Sequence, residues 1–209
     1  MSNRVTTPGG HTLGVRWGTP DPRTFAFEHV AAATPPQDIS LRNRQQTVTN
    51  QGNLGSCTGH AGANGVEGIL HDGQRSPLYL YYYDRLVDGT PATVDGGATM
   101  LALCKALQQY GIPPESAWPY DVSRFSQRPP ASADTQTVKI ESYSQVQGTG
   151  LALLQGTWAA LAQAENDPSI SIVLALDVYP EFENSSPDGK KQMPGPWSAA
   201  LGGHAIEVT

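Results

Sequence analysis

The sequence predicts an α+β protein in which a helical lobe precedes a sheet lobe. Three observations carry that prediction. Segments with helical apolar spacing cluster between residues 57 and 110, strand-like segments dominate after residue 136, and Gly- or Pro-rich breaks separate them. With 209 residues the chain is long enough to bury a core without metals or crosslinks, as one domain or as two closely packed lobes.

Taken in order, residues 1–37 are rich in Pro, Gly and Thr and have little periodicity, so they read as an arm laid over the surface or partly disordered. Residues 38–135 form the expected helical lobe. Its first helix starts near Cys57, with Ala61, Val66, Ile69 and Leu70 as a loose apolar stripe diluted by glycines. The second is SPLYLYYYDRLVDG, where Pro77 suits a first turn and Leu78, Tyr81, Tyr82 and Leu86 fall near helical spacing. The tyrosines read as packing residues with wet hydroxyl ends. The third is VDGGATMLALCKALQQYG, with Met100, Leu103, Cys104 and Leu107 on one face and Gly111 as its stop. IPPESAWPYD reads as a proline-locked loop. Residues 136–209 form the expected β-rich lobe: TVKIESYSQV as a strand, GLALLQGTWAALAQAEN as a helix, SISIVLALDV as a buried strand, and a last strand around His204.

Composition narrows the function classes. A net charge of -6 with no basic run argues against a nucleic-acid partner. The N-terminus lacks the apolar core of a secretory signal, and the run Ile170 to Val178 is too short to span a bilayer, so no membrane partner is expected. Asp84, Asp88, Asp95 and Asp121 do not cluster at metal-ligand spacing, and neither do the five histidines, so no metal or cofactor is required. Cys57 and Cys104 sit in unlike contexts, which makes a disulfide between them unexpected and suits a reducing compartment.

Cys57 follows QGNLGS and opens a helix. A thiol works as a nucleophile in its thiolate form, and a helix N-terminus beside an imidazolium lowers its pKa. The loop residues Gly55 and Ser56 allow a tight backbone approach, and Gln51, six positions before Cys57, can return across the loop to donate to an oxyanion beside the Cys57 amide. Taken singly, such a cysteine is more often a small structural residue, and His204 more often a satisfied core or surface histidine; their joint occurrence with Gln51 favours chemistry. His60 and His71 flank the same helix as rival partners, whereas Cys104 on an apolar helix face reads as core.

The run QGNLGSC resembles the Gln-to-Cys signature of papain-like cysteine peptidases, in the QGxLGSCTA form of many prokaryotic and viral members. DISLR before it, VDGG and YGIPPESAWPYD after it, and LGGHAI near the end resemble further family segments, so the likeness runs from about residue 38 onward. The resemblance implies the papain-like two-lobe fold, with a helical N-terminal lobe carrying the nucleophile and an antiparallel β-sheet or barrel C-terminal lobe carrying the histidine. It implies Cys57 as attacking thiolate, His204 as its partner and acid to the leaving amine, and Gln51 in the oxyanion hole. It also implies an extended peptide or protein substrate bound along Gly96, Gly97, Gly55, Ser56 and Gly203. The family's orienting asparagine follows the histidine and finds no match before Thr209. The resemblance therefore leaves three readings open: a fragment, a chain whose β lobe a second polypeptide or assembly completes, or a catalytically weak module with a binding or structural role, for example in a viral particle. The expected location is the cytoplasm or such a particle.

Overall fold

The computed structural model describes residues 5–19, 21–27, 39–44, 47–184, 186–187 and 190–209. Of the expected arm, residues 28–37 lie outside the described residues, as does Asp38 at the predicted entry to the helical lobe.

The helical lobe forms over the three predicted segments. Helix α1 (Cys57–Leu70) begins at the expected cysteine and ends at His71, which takes a left-handed conformation. It is rich in glycine because it is crossed closely: a Cβ at Gly62 would stand 2.6 Å from side-chain carbons of both Leu80 and Leu103. Helix α2 (Pro77–Val87) has proline in its first turn and Ser76 as its cap, whose Oγ accepts from the Tyr79 amide at 3.2 Å. Helix α3 (Met100–Gln109) is capped by Thr99, which accepts from the Ala102 amide at 3.1 Å, and Gly111 turns the chain after it. Leu54, Leu78, Leu80, Tyr81, Leu103 and Ile112 form the core between them. Leu86 and Leu70, expected on buried faces, are instead substantially exposed.

Arg85 is fully buried at the centre of this lobe. Its Nε donates to the Tyr81 carbonyl at 2.9 Å, Nη1 to Ala92 and Val94 at 2.6 and 3.0 Å, and Nη2 to Phe125 at 2.5 Å. One side chain thus fixes the loop that leads to Gly96 and Gly97.

The short helix α4 (Ala131–Asp134) closes the helical lobe, with Ala133 in its core, and the sheet lobe contains α5 (Leu151–Asn166) and strands β3 (Val173–Val178) and β4 (Gly202–Glu207). β3 and β4 pair antiparallel with Leu176 opposite His204, and α1 packs on β4. Two expectations need correction. TVKIESYSQV is not a strand: only Val138 and Gln145 pair, each through one isolated bridge, to Ile112 and Ala26. SISIVLALDV does contain a strand, yet Val173 to Leu176 are half-buried because only one face meets α1. α5 is helical as expected but buries Gly156, Ala160 and Ala164, leaving Leu151 and Leu154 exposed.

The arm departs most from expectation. Strands β1 (Val5–Thr6) and β2 (Thr12–Leu13) form a hairpin, and Thr12 to Val15 are buried rather than laid on the surface.

Candidate active site

Cys57 stands at the first position of α1, fully buried. The loop before it is fixed by a hydrogen-bond relay: Ser56 Oγ bonds the Tyr120 hydroxyl at 2.7 Å, and that hydroxyl donates to the Gln51 carbonyl at 2.8 Å. On the other side the Gly55 amide donates to Asp95 Oδ1 at 3.0 Å, Tyr81 donates to the same oxygen at 2.5 Å, and the Gly97 amide donates to the Tyr81 hydroxyl at 3.1 Å. Tyr81 and Asp95 therefore tie the cysteine loop to the glycine loop. Burial and the adjacent Asp95 carboxylate push the Tyr81 hydroxyl well above its ordinary pKa, which keeps it a donor.

Residues 12–17 of the arm run through the space between the lobes. Ala98 accepts from the Arg16 amide at 2.9 Å and donates to the Gly14 carbonyl at 3.0 Å, while the Val15 amide donates to Gly203 at 3.0 Å. The arm thus pairs with one residue from each lobe. Gln51 Nε2 donates to the Thr12 carbonyl at 2.7 Å and to the Leu54 carbonyl at 2.9 Å. The approach depends on glycine: a Cβ at Gly14 would lie 2.0 Å from the Gly55 carbonyl oxygen, and one at Gly97 would lie 1.7 Å from the Gly14 oxygen. Farther along, Lys105 on α3 donates to Asp21 of the arm at 3.0 Å.

These contacts settle the electrostatics of the closed cleft. The backbone amides of Ala205, Gly14 and Thr58 point at the Cys57 sulfur, but burial outweighs them and pushes the thiol up to about 11. The expectation of a lowered thiol pKa is thereby corrected, because the arm and both lobes remove the water that would solvate a thiolate. His204 is carried on β4 one residue before Ala205; burial, and secondarily the charge of His11 on the arm, lower its pKa, and its Nδ1 is buried without a hydrogen-bond partner. Burial thus favours the uncharged form of both the Cys57 thiol and the His204 imidazole, and what faces the sulfur from the arm is an amide donor rather than a carbonyl carbon.

Cys57 on α1 and His204 on β4 lie on elements that pack together, and the other expected residues take varied places. Gly203 pairs with an extended segment as expected. At the glycine pair the partner residue is Ala98, while Gly97 gives clearance and Gly96 lies beside Thr90 and Val94. Ser56 holds the loop rather than facing the groove. His60 is buried, bonds Thr49 through Nδ1 at 2.9 Å, stands edge-on to Tyr120 and is pushed down to about 4 by burial. His71 is exposed at the far end of α1. By sequence Tyr81 read only as packing, Asp95 only as an unclustered carboxylate and the arm as surface, while Tyr120 and Ala98 had no role; Asp95, directly before the glycine pair, carried the one usable signal. Both cysteines are free. Among the described residues no group of three side chains could hold a metal ion, and no helix is long and apolar enough to cross a membrane.

This architecture recurs in solved structures. Xylellain, a cysteine protease from Xylella fastidiosa, aligns over 99% of this chain and 81% of its own with a TM-score of 0.75 at 24% identity. Procathepsin L 3 of Tenebrio molitor larval midgut aligns over 88% of this chain and 59% of its own, TM-score 0.61 at 20% identity. Procathepsin B from Trypanosoma congolense aligns over 93% and 69%, TM-score 0.62 at 12% identity. In sequence, an uncharacterized peptidase C1-like protein of Acanthamoeba polyphaga mimivirus is 27% identical over 167 residues, which cover 75% of this chain and 53% of that protein. The chain has the papain-like fold of these cysteine proteases. This papain-like chain spans about half the length of the curated relative it matches, and no protein-family model matches it.

Proposed function

We propose that the protein is a cysteine peptidase acting on extended peptides through Cys57 and His204, held latent by residues 12–17 of its own chain. The observation that carries this reading is the arm's extended backbone, paired to Ala98 and Gly203 beside the Cys57 sulfur with Gln51 on its Thr12 carbonyl. With the arm withdrawn, water re-enters and the thiol pKa falls, so that His204 can take the Cys57 proton. The thiolate adds to the substrate carbonyl, Gln51 Nε2 donates to the oxyanion, and the imidazolium protonates the leaving amine. Water then releases the acyl group from sulfur.

Gly14→Val in the full chain tests the proposal, because the added side chain collides with Gly55 and expels the arm. The variant is expected to cleave fluorogenic peptides and to be labelled stoichiometrically at Cys57 by a peptidyl epoxide. Cys57→Ala in the same background should abolish cleavage, and Gln51→Ala should lower kcat about 10²-fold. A folded Gly14→Val chain that cleaves no peptide and leaves Cys57 unlabelled defeats the reading. The neutral thiol and the unpartnered His204 Nδ1 favour a second reading, a groove that binds peptides or a completing polypeptide without cleaving them. Binding without turnover in Gly14→Val would select it.

A further inference from the structure

We propose that Asp88 is a specificity-determining residue of the groove, selecting a basic side chain on the peptide that pairs with Ala98 and Gly203, and that Arg16 of the arm is its built-in occupant. The inference rests on the reading of the groove as a peptide site and extends it to the chemistry of the peptide. The Arg16 guanidinium donates to Asp88 Oδ2. The carboxylate does not swing freely, since it accepts from the Thr99 amide at 3.1 Å and from Thr99 Oγ1 at 3.0 Å, and its side chain is only 14% exposed. It stands fixed at the junction of α2 and α3, aimed into the groove and largely shielded from competing water.

Beside the seated arm lies a cavity of 630 Å³. Apart from arm residues its walls are Asp88, Thr99, Gly202 and Gly203, so among the described residues Asp88 supplies the charge of the fixed wall. Glycines opposite it leave room for a long side chain. Selection belongs to this wall rather than to the arm: Ala98 offers both its amide and its carbonyl to an extended chain. The Arg16 Nε is buried without a partner, so the arm satisfies the guanidinium only in part and is an exchangeable occupant.

The test uses the full chain carrying Gly14→Val and labelled synthetic peptides of residues 12–19, with arginine or methionine at the position of Arg16. Fluorescence anisotropy is expected to show about ten- to hundredfold tighter binding of the arginine peptide. Asp88→Asn, which keeps an acceptor for Thr99, should erase that preference while leaving the methionine peptide's affinity unchanged. Equal affinities, no binding, or a preference that survives Asp88→Asn overturns the proposal. Should Gly14→Val fail to fold, a double-mutant cycle in the otherwise unaltered chain decides it. Arg16→Met and Asp88→Asn should each speed iodoacetamide labelling of Cys57, and the pair together should do so no more than either alone; additive effects overturn it. Because binding is read without turnover, Asp88-dependent preference in a chain that never cleaves defeats the peptidase reading alone, and cleavage without preference defeats this one alone.

Discussion

At the residue scale the governing fact is the competition at the Cys57 sulfur between three amide donors and burial, which burial wins. The neutral thiol is favoured by the closed state, so its contribution to arm docking is fully present below the pKa of an exposed thiol and is lost as pH rises through about 11. Labelling by iodoacetamide at pH 7.5 should therefore be at least about tenfold slower for Cys57 than for a free thiol, and should accelerate steeply in alkali. Gly14→Val should bring the labelling of Cys57 to or above the free-thiol rate. Cys104, also raised to about 11 by burial alone, is the internal control and should respond to pH but not to Gly14→Val. Mass spectrometry of each cysteine peptide over time separates the two.

At the element scale, the helices were legible because each carries its own instructions: Ser76 and Pro77 start α2, Thr99 starts α3, and Gly111 ends the run. The nucleophile loop was legible for the same reason, since Gln51 and Cys57 are close in sequence. What stayed hidden depends on distant partners. TVKIESYSQV has strand composition but is offered only single-residue pairings, and the arm's order comes from Ala98 and Gly203, which no local pattern announces. The Tyr81 link is of this kind: a tyrosine correctly read as packing also joins the cysteine and glycine loops through its hydroxyl. Tyr81→Phe should leave the packing intact yet cost about 1–3 kcal/mol, because Asp95 and the Gly97 amide lose a partner in a partly buried site. Urea unfolding measures that loss, and peptide affinity in the Gly14→Val background should fall with it as the Gly97 loop slackens.

At the scale of the whole molecule, the lobes meet where α1 packs on β4, and this contact contains two carboxyl groups, Glu67 from the helical lobe and Glu207 from the sheet lobe. Burial, and then the charge of Glu67, pushes Glu207 up to about 7, with Ser171 and then Arg44 opposing; burial also raises Glu67, opposed by the Thr47 amide and Arg75. Glu67 Oε1 and Glu207 Oε2 are both buried without a hydrogen-bond partner, so ionising both places like charges across the seam that their neighbours offset only in part. A carboxyl whose folded pKa is raised stabilises the fold fully below its ordinary value near 4.5 and loses that contribution as pH climbs through about 7. The protein should accordingly lose stability between about pH 5 and 8, with Glu207 responsible for about 1 kcal/mol once its partial exposure is allowed for. Glu207→Gln, neutral at every pH, should raise Tm at pH 8, leave it nearly unchanged at pH 5, and flatten the slope between them. A residual slope should persist from Asp84, a fully buried carboxyl raised to about 8 by burial. Parallel Tm-against-pH curves for the variant and the parent would show that the seam is not the titrating contact.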